Sequence, residues 1–402
     1  MKSIQDIYKI GKGPSSSHTI GPERAAKLFK EKYPEADRYK VVLFGSMSKT
    51  GKGHGTDRVL HEVLSPTPTE VVFSVEETGF THPNTLDFYA YYGEKESPVL
   101  RVESIGGGDL SIAGMASYEP PEVYPENSFA EIQEYCRFRD ITLWEYVEIH
   151  EGVEIWDFLE EIWRTMMNAI DEGLAAEGIL PGGLNVKRKA KKLYEKIIPN
   201  EVMQVRECRI TSAYAFAVSE QNADCGTIVT APTCGACGVL PASIRYLMER
   251  RKVSHEKVLH ALAVAGIFGS LIKRNASISG AEAGCQAEIG SACSMTAAAL
   301  CTMCDLGFDN IAYAAEIALE HHLGLTCDPI CGLVQIPCIE RNAVAAMRAF
   351  NAMNLSFFLS GSQRITFDMV VKTMYETGIN MKESYRETSE GGLAKLYNRK
   401  LR

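Results

Sequence analysis

The chain deals its residue types unevenly along its length, and this asymmetry constrains the fold more than any single motif. Residues 1–145 mix short β-rich runs with glycine turns: Lys40-Val-Val-Leu-Phe-Gly45, Glu70-Val-Val-Phe-Ser-Val75 and Pro98-Val-Leu-Arg-Val-Glu103 are each followed by charge or glycine, as strands at the edge of a small sheet should be. Residues 21–33 open with Pro22 at a helix start, and Thr56-Asp-Arg-Val-Leu-His-Glu-Val-Leu64 has helical spacing. From Met203 onward the composition turns to Ala, Gly, Ser, Cys and Met. Helix-length segments there cover 211–219, 258–271, 281–306, 311–321 and 340–350, with few strand-forming runs. Between the halves, residues 128–172 are rich in Trp and Glu with apolar residues at helical intervals, and read as a helical bridge. The expectation is an α+β N-terminal domain over 1–150 followed by a mostly all-α helical domain over 151–402. At 402 residues the chain exceeds a single core, so two domains suffice.

Composition removes several classes of function. With 46% hydrophobic and 23% charged residues the chain can bury a large core. A net charge of −9 implies no broad basic surface, so no nucleic acid is expected as a partner, and Lys187-Arg-Lys-Ala-Lys-Lys192 reads as a solvated helix face. The longest nearly apolar run, residues 258–272, contains His260 and Ser270 and is too short to cross a bilayer, so no membrane is expected. The N-terminal residues have no apolar signal region, and eleven of the twelve cysteines lie from Cys208 onward. These features point to a reducing, cytoplasmic location, with thiols that are structural or metal ligands, not disulfides.

Polar loops carry the chemistry. Gly13-Pro-Ser-Ser-Ser-His-Thr-Ile-Gly-Pro22 places Ser15, Ser16, Ser17, His18 and Thr19 just before a helix N-terminus, where a carboxylate could be gripped. An ordinary serine-rich N-cap is the plain alternative. Gly45-Ser-Met-Ser-Lys-Thr-Gly-Lys-Gly-His-Gly-Thr-Asp57 fails as a phosphate-binding P-loop: five residues separate Gly45 from Gly51, and Gly53 stands where Ser or Thr should hold magnesium. What survives is His54-Gly-Thr-Asp57, an imidazole beside a carboxylate on a flexible loop, suited to acid/base work. His82-Pro-Asn84 and Ser104-Ile-Gly-Gly-Gly108 add further polar loop groups, with a plain turn as the commoner meaning.

Among the cysteines, Cys285, Cys327 and Cys338 group on three separated segments. Their spacing is not that of a compact ferredoxin-type run. Three thiolates could still hold three corners of a [4Fe-4S] cluster and leave one iron open as a Lewis acid; buried free thiols in a helical core are the alternative. Cys234-Gly-Ala-Cys237 and Cys301-Thr-Met-Cys304 raise a zinc or redox-dithiol reading, the second pair more as packing inside a helix.

Taken together, the loops at 13–22, Gly51-Lys-Gly-His-Gly-Thr-Asp57, His82-Pro-Asn84, Gly280-Ala-Glu-Ala-Gly-Cys-Gln-Ala-Glu288 and the run from Glu320-His-His-Leu-Gly-Leu-Thr-Cys-Asp-Pro through Ile336-Pro-Cys-Ile-Glu-Arg-Asn342 closely resemble the iron–sulfur-dependent L-serine dehydratases, or L-serine ammonia-lyases. The resemblance runs in order from residue 13 to about Leu393 and matches the single-chain form, a β-type domain before an α-type domain. It implies conversion of L-serine to pyruvate and ammonia on a [4Fe-4S] cluster held by Cys285, Cys327 and Cys338, with no pyridoxal phosphate. It also matches the Ser15 to Thr19 loop and His54 to the substrate side, and Ser15, Ser16, Ser17, Thr19, Thr56, Asp57 and Asn84 are the candidates for binding the substrate. His18 and His54 are the catalytic candidates, the base between them left open.

The sequence departs from the family pattern in two places. It ends Tyr397-Asn-Arg-Lys-Leu-Arg402 without the cysteine that caps the open iron in many members, and Cys234-Gly-Ala-Cys-Gly238 replaces an expected Asn-Gly-Ala-Ala-Gly loop. Cys234, Cys237 or Cys331 is therefore expected to supply a fourth metal ligand. Alternatives are an L-cysteine desulfidase on the same scaffold and a non-catalytic zinc or redox-sensing thiol protein. A homodimer is expected.

Overall fold

The computed structural model describes residues 1–75, 80–112 and 121–400. The first half contains β1 (Ile10–Lys12), α1 (Gly21–Lys32), β2 (Arg38–Leu43), α2 (Gly45–Thr50), α3 (Thr56–Leu64), β3 (Thr69–Phe73), β4 (Thr85–Tyr92), β5 (Lys95–Glu96), β6 (Leu100–Gly106) and β7 (Asp109–Ile112). Strands β3-β2-β4-β6-β7 form one sheet in that order, with β5 hairpinned onto β4; among the described residues only the β2–β3 pair of this sheet is parallel. Tyr39, Val41 and Leu43 alternate inward along β2 and meet Phe29 of α1, Leu60 and Leu64 of α3, and Phe88 of β4 in a small core of their own. The expectation that 40–45 is an edge strand is corrected, because β2 is paired on both sides. Its second partner, β4, has no counterpart in the sequence reading. The glycine loop after β2 is also corrected: its first six residues form helix α2.

The second half is helical, as expected: α4 (Phe129–Arg139), α5 (Leu143–Glu151), α6 (Ile155–Ala175), α7 (Ala190–Glu195), α8 (Met203–Ala223), strand β8 (Thr227–Val229), α9 (Val239–Arg251), α10 (His255–Asn275), α11 (Gly280–Ala283), α12 (Ser291–Met303), α13 (Phe308–Glu320), α14 (Cys338–Phe358), α15 (Phe367–Asn380) and α16 (Gly392–Lys400). The 128–172 stretch resolves into three helices. Ser128 with Glu131, and Thr142 with Glu145, close reciprocal capping boxes that satisfy free N–H groups at the starts of α4 and α5. Helix α12 is built of Ser, Ala, Cys, Met, Thr and Leu, and its small side chains let α10, α13 and α14 pack closely around it. Helix α10 extends to 21 residues, longer than the apolar run suggested. By length and composition it could cross a bilayer, but here it lies inside the bundle.

The single helix expected over 281–306 is broken into α11, a wide π-turn at Gln286–Gly290, and α12. Gly284 makes the break. It adopts φ +75°, and a Cβ there would lie 2.7 Å from the Met381 sulfur and 2.9 Å from the Leu325 carbonyl.

The two halves interlock. β1 pairs antiparallel with β8, and Met1, Ile4, Ile7 and Tyr8 belong to the helical core, with the Tyr8 hydroxyl donating to the Leu262 carbonyl at 2.7 Å. Lys9 and Lys273 bridge Asp6 and Asp109 across the same seam.

Candidate active site

Two histidines are brought face to face by short local devices. Ser15 caps a π-turn at Ser16–Ile20, its hydroxyl accepting from the His18 backbone N–H at 3.1 Å, and the turn runs directly into α1. The His18 ring is wholly buried. Its Nδ1 is 2.9 Å from the Ser17 hydroxyl, and its Nε2 meets the hydroxyls of Ser46 (3.1 Å) and Thr50 (3.2 Å) of α2. His54, in the turn between α2 and α3, lies with its ring centroid 4.5 Å from that of His18. It is equally buried, yet neither of its ring nitrogens has a hydrogen-bond partner among the described residues. Burial holds His54 near a pKa of about 4 and pushes His18 well below the ordinary imidazole value, with the neighbouring His54 adding to the second effect. Both rings are therefore neutral near pH 7.

The remaining loop residues divide by what their side chains touch. Thr19 donates to the His54 carbonyl (2.8 Å) and Thr56 to the His18 carbonyl (2.6 Å), so each threonine fixes the backbone of a histidine. Each hydroxyl's proton is thus directed at the backbone, and what remains for a ligand is acceptor capacity. Ser15, Ser16 and Ser17 are buried in the turn, Ser15 and Ser17 with hydroxyls 3.4 Å apart. Asp57 is drawn instead to the start of α3, where it accepts from the Arg58 N–H at 2.9 Å. The carboxylate beside His54 is Glu387, whose Oε1 lies 3.8 Å from His54 Nε2 and 3.6 Å from His18 Nδ1. These three groups form a set with all ligand atoms within 4.8 Å. Asn84 is fully buried with an unpartnered Oδ1. The Ser104 and Ser279 hydroxyls are likewise orphaned, near where Gly106 brings β6 against Ser279.

Glu387 links the histidines to the thiols. Its backbone N–H donates to the Cys327 carbonyl (2.7 Å), its carbonyl accepts from Ser46 (3.1 Å), and Cys327 N–H donates to Tyr385. Cys285, Cys327 and Cys338 come from the break before α12, a loop after α13, and the first turn of α14. The three interact electrostatically with one another and with Arg341. Burial pushes all three thiols up, Cys285 to about 11, against the lowering pull of Arg341 on Cys285 and Cys338. Glu288 closes the chamber, 3.9 Å from the Cys327 sulfur and accepting from Thr233 at 2.9 Å. A Cβ on Gly280 would stand 3.1 Å from that sulfur and 2.6 Å from Glu288, so glycine keeps the space open.

The other cysteines expected near the metal separate. Cys234 and Cys237 are buried, and Asn342 clamps their turn through the Gly235 carbonyl and the Gly238 N–H; Gly235 itself abuts Glu288. Cys331 is exposed, its thiol set against Asn398, and the structure does not bring it to the three thiols. The sequence reading missed Glu387, Ser46, Thr50, Glu288 and Arg341. Glu288 and Arg341 lie inside motifs it quoted, whereas Glu387 offered only a polar, glycine-ended run, Arg386-Glu-Thr-Ser-Glu-Gly-Gly392.

Comparison with known proteins fits this arrangement. Residues 3–68 match the model of the serine dehydratase beta chain and residues 84–394 that of the serine dehydratase alpha chain. L-serine dehydratase 2 of Escherichia coli (strain K12) is 38% identical over 98% of each chain. The L-serine dehydratases of Haemophilus influenzae and Streptomyces coelicolor are each 37% identical over 98% of this chain, covering 99% and 98% of their own lengths.

Proposed function

The chain belongs to the serine dehydratase family, and from that premise we infer that it is an L-serine ammonia-lyase that removes water from L-serine to release pyruvate and ammonia with the help of a [4Fe-4S] cluster. The observation that carries this reading is the convergence of two buried imidazoles and the thiols of Cys285, Cys327 and Cys338 about one carboxylate-bearing loop at Glu387.

The residues suit the cluster. Cys285, Cys327 and Cys338 would hold it, with Arg341 supplying positive charge and the N-terminal end of α14 facing Cys338 as its first residue. Gly280 leaves room beside Cys327 that any side chain would fill. When bound, the cluster supplies an open iron, a Lewis acid that makes the β-hydroxyl a better leaving group. Cys234 or Cys237 is the proposed resting fourth ligand.

The protein's own groups perform the proton chemistry. His54 is the proposed base, because its one basic nitrogen, whichever tautomer is present, is not engaged by a hydrogen bond among the described residues and can receive the Cα proton, whereas His18 is held at each nitrogen by a hydroxyl. Thr19 and Thr56 hold the backbone of both histidines through their carbonyls, which keeps the backbone ends of the two rings in register with each other. The serine turn and the orphaned Ser104 hydroxyl are proposed to bind the substrate carboxylate and exclude water, and the orphaned Asn84 Oδ1, an acceptor, to meet a donor group of the substrate. Ordinary imidazole basicity would leave part of the site protonated in mildly acid conditions; burial removes that fraction.

The test is purification without oxygen, followed by iron and sulfide analysis and assay of pyruvate from L-serine. A brown protein forming pyruvate is expected, with activity unaffected by hydroxylamine. A colourless zinc protein without turnover would overturn the reading.

A further inference from the structure

We propose that Glu387 receives the ammonium group of the substrate and thereby selects amino acids over the matching hydroxy acids. This rests on the elimination reaction proposed above. Glu387 is 6% exposed, and the basic groups within 4 Å of its carboxylate, among the described residues, are His18 and His54. Nearby cations are committed elsewhere: Lys49 to Glu390 at 3.0 Å, Arg341 to the Thr326 carbonyl and Asp328, and Arg386 Nη1 to the Glu282 carbonyl. A carboxyl group at this depth with no Lys or Arg within 4 Å among the described residues is an acceptor suited to a cation that arrives with the ligand.

The position suits that cation. In an α-amino acid the nitrogen is bonded to the carbon that loses its proton, so its anchor must stand beside the base, and Glu387 Oε1 is 3.8 Å from His54 Nε2. The hydroxyls of the serine turn are good donors toward a carboxylate but weak acceptors for ammonium. The fold also holds Glu387 in a conformation that glycine would adopt more easily. Its φ is +55°, fixed by its N–H to Cys327 and by Ser46 on its carbonyl. A hydroxy acid brings no ammonium group to meet Glu387 Oε1 beside His54, which is a basis for rejection.

The experiment compares the anaerobically prepared holoenzyme with Glu387→Gln and Glu387→Asp, each checked for iron content and melting temperature. Glu387→Gln is expected to raise KM for L-serine ~10- to 100-fold, with a smaller fall in kcat. The preference for L-serine over glycerate as an inhibitor should collapse, and Glu387→Asp should keep part of it. A fall in kcat alone, with KM and the preference unchanged, would mean that Glu387 only positions an imidazole and would overturn the proposal. Calorimetric binding of L-alanine and L-lactate, which have no β-hydroxyl to eliminate, reads the same preference without turnover. If the wild type prefers L-alanine and Glu387→Gln does not, the anchor stands even where no pyruvate forms, and only the proposed reaction fails. Equal preferences in both proteins, or no binding of either ligand, sink the anchor.

Discussion

Two groups of cysteines sit in the helical domain, each with one half-buried member, Cys338 in one and Cys304 in the other, and burial does not tell them apart. Cys285, Cys327 and Cys338 share a chamber with Arg341, Glu288 and Glu387. Cys293, Cys301 and Cys304 lie along α12 and just after it, where Cys293 donates to the Ala345 carbonyl at 3.2 Å, Cys301 meets Asn310 and Ser356, and Cys304 meets the Met353 sulfur at 3.8 Å. Cys293 and Cys301 are satisfied by backbone and a small side chain within their own layer of helices, while Cys304, at the end of α12, also accepts from Arg251 at 3.5 Å. The first group is surrounded by charged groups that no helix core needs. Company, not burial, separates a metal ligand from a packing thiol.

The largest expected effect tests this contrast directly. Replacing Cys285, Cys327 or Cys338 by serine should strip iron and reduce pyruvate formation to background, whereas Cys293→Ala or Cys301→Ala should leave iron content unchanged; metal analysis of all five variants would show whether the two groups differ. Next comes the histidine pair. His54→Ala should lower kcat by ~10² to 10⁴ with iron retained. His18→Ala should also disturb the Ser17, Ser46 and Thr50 hydroxyls, and so raise KM as well.

A third prediction moves to a histidine outside the site. His322 is buried in the helical domain, its Nδ1 2.7 Å from the Ala318 carbonyl, and burial lowers it to about 4. The folded protein thus binds fewer protons than the unfolded chain between pH 6.5 and pH 4. Its stabilising contribution is complete above the unfolded value and is lost as pH falls through that window, by up to ~3 kcal/mol. Denaturant midpoints across that range should show a weaker acid dependence in His322→Gln. The smallest effect belongs to the packing thiols: Cys301→Ala should cost ~1–2 kcal/mol of unfolding free energy through the cavity it leaves, read as a lower melting temperature with unchanged KM.

What could be read from sequence follows from the range of each interaction. Helix α3 was found at Thr56–Leu64 because its apolar spacing is local. The break at Gly284 was not, because it is imposed by Met381 and Leu325 from elsewhere in the chain. Strands β1 and β8 have three residues each and gain meaning only by pairing with one another. At the site, the histidine loops carried their own polar signal, but the three cysteines were singled out by resemblance more than by spacing. Asp57 was chosen because it is three residues from His54, yet helix α3 claims its carboxylate; Glu387 takes that place from the far end of the chain.

The strand pairing between the two halves also sets an order of events during synthesis. The loop bearing His18 hangs between β1 and α1, and β1 has no partner until residues 227–229 have been made. Glu387 is added much later still. At ~5–20 residues per second, a growing chain spends tens of seconds with its first histidine in place and no opposing carboxylate. A ribosome that stalls or stops early therefore releases a polypeptide with no assembled centre, and a protein built this way has no partial activity to leak.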